Sequence, residues 1–117
     1  MNVGIDIVKI ARFKNIKNNN TLMCKIFCME EIQSLQKRHY DISTMAGMYS
    51  AKEAFLKAIK KGLNDYPLND IEISHDNNGA PFLILHNKLI KLNIEDISIS
   101  ISHDGDYAVS ILFLKLS

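Results

Sequence analysis

The chain has 117 residues, a formal net charge of +1, 47% apolar and 23% charged residues, and two cysteines. That length suits a single domain over residues 1–117, large enough to bury a core but small for a deep cleft built from one chain. The near-neutral charge argues against a basic nucleic-acid binder and against attraction to an anionic membrane surface.

Asp6 interrupts the apolar start, and no stretch reaches membrane-spanning length, so a cytoplasmic protein without a membrane segment is expected. Residues 3–10 are rich in β-branched side chains and predict a buried strand. Ile10, Phe13 and Ile16 then recur at helical spacing among Lys9, Arg12, Lys14 and Lys17, which predicts a short amphipathic segment with a basic face. Asn18-Asn19-Asn20 breaks it, and Thr21 offers a cap for a helix from Leu22 to about Cys28, with another starting at Met29. Cys24 and Cys28 fall four apart, on one face of that helix. No histidine near them in sequence completes a metal site, so they read as reduced, partly buried thiols.

Asp41-Ile42-Ser43 offers a cap for a long helix over about 44–61, which Gly62 would end. At about 100° per residue, Met48, Ala51, Phe55, Ala58 and Ile59 share a stripe, while Glu53, Lys57 and Lys60 project elsewhere. Lys52 falls beside the apolar stripe, where it must either snorkel along its neighbours or meet a second subunit.

From Asp70 the period changes to two. Ile71 to Ser74 predicts a strand, Asn77-Asn78-Gly79 a turn, Phe82 to Leu85 the returning strand, and Asn87 to Leu92 a short helix. Ile97, Ile99 and Ile101 alternate with Ser98, Ser100 and Ser102, isoleucines toward a core. His103-Asp104-Gly105 reads as a turn before a last strand from Tyr107 to Leu114. Ile71 to Asp76 echoes Ile99 to Asp104, an echo that suits two unrelated strand-turn units slightly better than a duplication. The fold class is α+β: a largely antiparallel sheet packed with one long helix and several short helices.

Several side chains carry chemistry. Asp6, inside an apolar strand, needs a bonding partner or a metal, and a helix-capping role accounts for it equally well. Glu53 and Lys57 form an i, i+4 pair of favourable orientation, which any solvated helix could use. His103 suits a phosphate contact, a base or a hydrogen-bonded turn residue. Asn78-Gly79-Ala80-Pro81 is a tight turn whose backbone could approach a ligand. Two carboxylates and a lysine are the groups that hold a hard divalent cation and a phosphate.

Gly4-Ile5-Asp6, followed by Tyr49-Ser50-Ala51-Lys52-Glu53-Ala54-Phe55-Leu56-Lys57, resembles the two-part motif of the phosphopantetheinyl transferases. The chain length, the Asn78 to Pro81 turn, the Ser100 to His103 strand end and Tyr107-Ala108 are similar to its short holo-[acyl-carrier-protein] synthase group. The resemblance implies transfer of the 4′-phosphopantetheine of coenzyme A to a serine of apo-acyl carrier protein, releasing adenosine 3′,5′-bisphosphate, in support of fatty acid biosynthesis. It implies a homotrimer with active sites between subunits, and magnesium held by Asp6 and Glu53. Asp6, Glu53, Lys57 and His103 would be catalytic. Lys57, Asn78, Gly79, Pro81 and His103 would bind coenzyme A, and Arg12 and Lys14 would meet the carrier protein. Met48 stands where many members have arginine. Broad-range members are typically twice as long, and intact Asp6, Glu53 and Lys57 argue against a binding module that has lost catalysis.

Overall fold

A computed structural model describes residues 1–61 and 65–117. The order is β1 (Asn2–Lys9), a 3-10 turn (Ile10–Arg12), α1 (Phe13–Ile16), α2 (Asn20–Ile26), α3 (Met29–Lys37) and α4 (Ile42–Ala58). A second 3-10 turn (Leu68–Asp70) leads to β2 (Ile71–His75) and β3 (Pro81–Leu85), and a third (Asn87–Lys91) precedes β4 (Ile94–Asp104) and β5 (Tyr107–Leu116). All strand pairs are antiparallel, as expected for this α+β chain, but they form two sheets, β1-β5-β4 and β2-β3.

Asp41 caps α4, accepting from Thr44 N at 3.0 Å and from its hydroxyl at 2.7 Å, so the helix starts two residues earlier than expected. The helix itself ends at Ala58, followed by a left-handed closure at Lys60. Lys60 has φ 62°, Lys60 N donates to Lys57 O at 3.1 Å, and Lys61 N donates to Leu56 O at 2.9 Å. The predicted stop at Gly62 lies outside the described residues. Met48, Ala51, Phe55 and Ala58 are buried as the stripe predicts, yet Met45, Ala46, Ala54 and Leu56 are buried too. The larger sheet covers one flank of α4, and β2 and the short helices cover others.

Asn19, not Thr21, caps α2, accepting from Leu22 N at 3.1 Å. The helix ends at Ile26, so the two cysteines do not share it: Cys24 is exposed on α2, and Cys28 is half-buried at the start of α3. β1 departs from a buried strand as well. Gly4, Asp6 and Val8 turn toward α4, whereas Val3, Ile5 and Ile7 are 55%, 57% and 63% exposed. On β4 the isoleucines face the core side and the serines face outward, as the alternation predicts. Register places Val3, Ile5 and Ile7 beside Phe113, Ile111 and Val109, and these beside Ser98, Ser100 and Ser102. The outer face of this sheet is therefore an apolar surface edged by hydroxyls.

Candidate active site

The site begins with a glycine. A Cβ on Gly4 would lie 1.8 Å from the Ala54 carbonyl oxygen and 2.9 Å from Ala58 N, so only glycine lets β1 touch the backbone of α4. That contact brings Asp6, two residues on and on the same face, to the helix turn that carries Glu53 and Lys57. Lys57 Nζ donates to Asp6 Oδ1 and to Ile5 O, each at 3.0 Å. The ion pair with Asp6 replaces the surface pair with Glu53 that helical spacing alone offers.

Glu53 is left in an unusual state. Its Oε1 is buried and has no hydrogen-bond partner among the described residues. Burial, then the negative charge of Asp6, raises the proton affinity of its carboxyl, while the Tyr49 hydroxyl, Lys57 and Arg12 pull it back. A buried carboxylate oxygen without a donor is costly and asks for a partner. Beside it stand the Asp6 carboxylate, the Tyr49 hydroxyl and the Lys57 ammonium, itself bonded to Asp6. The two carboxylates are hard oxygen donors that fit a cation such as magnesium or calcium. Tyr49 holds the site's flank. Its ring meets Phe13 edge-on at 5.5 Å between centroids, and the Arg12 guanidinium lies 5.3 Å over it. Arg12 is thus seated beside the carboxylates, whereas Lys14 is exposed on α1.

The other predicted residues gather elsewhere. Asp76 Oδ1 accepts from Asn78 N at 2.8 Å and from Ala80 N at 3.0 Å, and Gly79 takes φ 83°, so the Asn78–Pro81 turn is built on an aspartate. His103 belongs to β4 rather than to a turn, and the reversal is Gly105-Asp106. Gly79, Pro81 and His103 line a cavity of about 280 Å³ together with Met48, Arg38 and His75. Asp6, Glu53 and Lys57 are not in its wall. Within one chain the expected site is therefore in two parts.

Arg38 carries no signal in the sequence, and His75, which as the copy of His103 reads as the histidine without a role, lines the cavity as well. The Ile71–Asp76 echo did contain His75, but nothing local shows that two separate sheets bring both histidines to one cavity. Burial, and then the charge of Arg38, lowers the proton affinity of His75. A larger cavity of about 810 Å³ between α2 and Pro67–Asn69 is mainly apolar and holds none of the candidate residues.

Lys52 neither snorkels nor reaches a second subunit. It is wholly buried, and its Nζ donates to Glu31 Oε1 and Ile26 O at 2.6 Å and to Leu68 O at 3.1 Å. Glu31 also accepts from Cys28 N at 3.0 Å and from Ile73 N at 2.9 Å, so one ion pair joins α3, α4 and β2. The partner for Lys52 sits 21 residues away, beyond any helical periodicity.

The model of the 4′-phosphopantetheinyl transferase superfamily matches residues 2–112. A holo-[acyl-carrier-protein] synthase of Caldicellulosiruptor saccharolyticus is 38% identical over 113 residues, 93% of this chain and 91% of that protein. The fold also matches the crystal structure of the Bacillus anthracis holo-(acyl-carrier-protein) synthase in complex with CoA (3′,5′-ADP). The TM-score is 0.84 at 28% identity, over 99% of this chain and 96% of that one. The Helicobacter pylori synthase in complex with coenzyme A superposes with a TM-score of 0.81 at 30% identity, covering 97% of this chain and 99% of that one. The chain belongs to the 4′-phosphopantetheinyl transferase superfamily, a family of transferases, and within it to the holo-[acyl-carrier-protein] synthase group.

Proposed function

We propose that this chain, acting as one domain over residues 1–117, transfers the 4′-phosphopantetheine arm of coenzyme A to a serine hydroxyl of apo-acyl carrier protein. The serine oxygen forms a bond to the pantetheine-side phosphorus, and the pyrophosphate P–O bond breaks. Adenosine 3′,5′-bisphosphate leaves with the electron pair, and the serine proton is lost to base. The observation that carries this reading is the buried, unpartnered Glu53 Oε1 beside Asp6 and Lys57, inside the segments that match the family.

Asp6 and Glu53 are the residues that would hold magnesium. Bound there, it would neutralise pyrophosphate charge, the main electrostatic demand of phosphoryl transfer. The side chain of Lys57 is 55% exposed, free to swing from Asp6 onto the pyrophosphate. Gly79, Pro81 and His103 line the coenzyme A side, with Asn78 in the adjoining turn, and Arg38 adds positive charge to the same cavity in place of an arginine at Met48. Lys14, with Arg12 at its edge, offers the carrier protein a basic approach.

The division of candidate residues between two places, and the apolar outer face of the three-stranded sheet, support a homotrimer whose sites form between subunits. The proposed place of this work is the cytoplasm, in support of fatty acid biosynthesis; among the described residues no helix is long and apolar enough to cross a membrane. Intact-mass spectrometry of an apo-acyl carrier protein, incubated with this protein, coenzyme A and magnesium, tests the transfer. A gain of one phosphopantetheine arm, abolished by EDTA, is expected; an unchanged mass across several carriers would overturn the reading.

A further inference from the structure

We propose that Cys28, Glu30, Glu72 and His86 form a second cation site, for a borderline-soft divalent ion of the zinc class. Read as sequence, the cysteines lack a histidine. The fold supplies one: His86 follows β3, and its Nε2 lies 2.8 Å from Glu72 Oε1 on β2. Cys28 begins α3, Glu30 lies in its first turn, and the donor atoms of Cys28, Glu30 and Glu72 lie within 4.8 Å of one another. One sulfur, one imidazole nitrogen and two carboxylate oxygens are donors that tetrahedral zinc accepts, with His86 joining the cluster through its contact with Glu72. Magnesium prefers an all-oxygen shell with bound water, so the set is chemically distinct from the Asp6–Glu53 pair.

The place is also open to an ion. A cavity of about 430 Å³ has Cys28, Glu30 and His86 in its wall, and Glu30 is exposed. An entering cation relieves the crowding of the Glu30 and Glu72 carboxylates. Occupancy would fasten the start of α3 to the β2-β3 hairpin, next to the Glu31 that holds Lys52.

Cobalt(II) is the probe, added to the metal-stripped full chain in excess magnesium. The expected result is one cobalt per chain, with intense visible absorption of tetrahedral coordination and a near-ultraviolet sulfur-to-cobalt band, both bleached by zinc. Cys28→Ser, whose serine is a good helix cap, should fold and lose the sulfur band. Cys24→Ser should keep it, and His86→Ala should weaken binding about tenfold or more. Absence of the sulfur band in the unaltered protein, its survival in Cys28→Ser, or undiminished affinity in His86→Ala would overturn the assignment.

Discussion

Gly4 lies against the carbonyl of Ala54 so closely that an added Cβ would stand 1.8 Å from that oxygen. This contact sets the distance between β1 and α4, and with it the position of Asp6 relative to Glu53 and Lys57. Backbone cannot yield as a flexible side chain can. Gly4→Ala should therefore cost about 4 kcal/mol or more in chemical denaturation, or leave a folded protein with its helix displaced and its metal response gone.

Glu53 should destabilise the metal-free protein at neutral pH. Its folded proton affinity is raised above that of the unfolded chain, so its stabilising contribution is present below the ordinary carboxyl range and is lost as pH rises through the folded value. Asp41, lowered mainly by its bond from the Thr44 hydroxyl, works the other way: its contribution is lost as pH falls through its depressed value. Glu53→Gln should raise the melting temperature at pH 7 without metal, and the advantage should shrink toward pH 4. Excess magnesium should stabilise the parent protein and leave the variant unchanged. Differential scanning calorimetry reads all three.

The Lys52–Glu31 pair is wholly enclosed, and burial lowers the proton affinity of Lys52 while Glu31 opposes it. Removing one partner leaves an unpaired buried charge. Glu31→Ala or Lys52→Ala should each cost about 3–5 kcal/mol in urea denaturation, and Lys52→Met with Glu31→Leu together should cost less than the sum.

Ile5 and Ile7 stand on the outer face of the sheet at 57% and 63% exposure. If like faces meet in a trimer, Ile5→Asp with Ile7→Asp should give a folded monomer by light scattering, with transfer activity reduced by about two orders of magnitude. A trimer that persists in this variant would place the interface elsewhere.

Much of the fold was legible in the sequence because its signals are local. The Asp41 cap, the alternation of Ile97 to Ile101, and the Asn77–Gly79 turn each depend on neighbours a few residues apart. What was not legible depends on long-range contact. The Lys60 closure of α4 needs a positive φ at a lysine, which residue preference does not announce. The outward turn of Val3, Ile5 and Ile7 follows from Gly4 and Asp6 being needed inward, the reverse of an ordinary strand. Within the site, residue identities suggested Asp6, Glu53 and Lys57, but the Lys57–Asp6 pairing across 51 positions emerged only on folding. His75 and Arg38 reach their cavity only once two sheets and a helix are assembled.

The proposed phosphopantetheine transfer depends most directly on Asp6 and Glu53 as the pair that would hold magnesium. The direct test is the initial rate of holo-carrier formation against magnesium concentration for the parent chain, Asp6→Asn and Glu53→Gln, each checked for folding by circular dichroism. Rates that fall about a hundredfold or more in both variants, with the magnesium response shifted or lost, are the predicted result. A Glu53→Gln protein that turns over at the parent rate, with the same magnesium dependence, would contradict it.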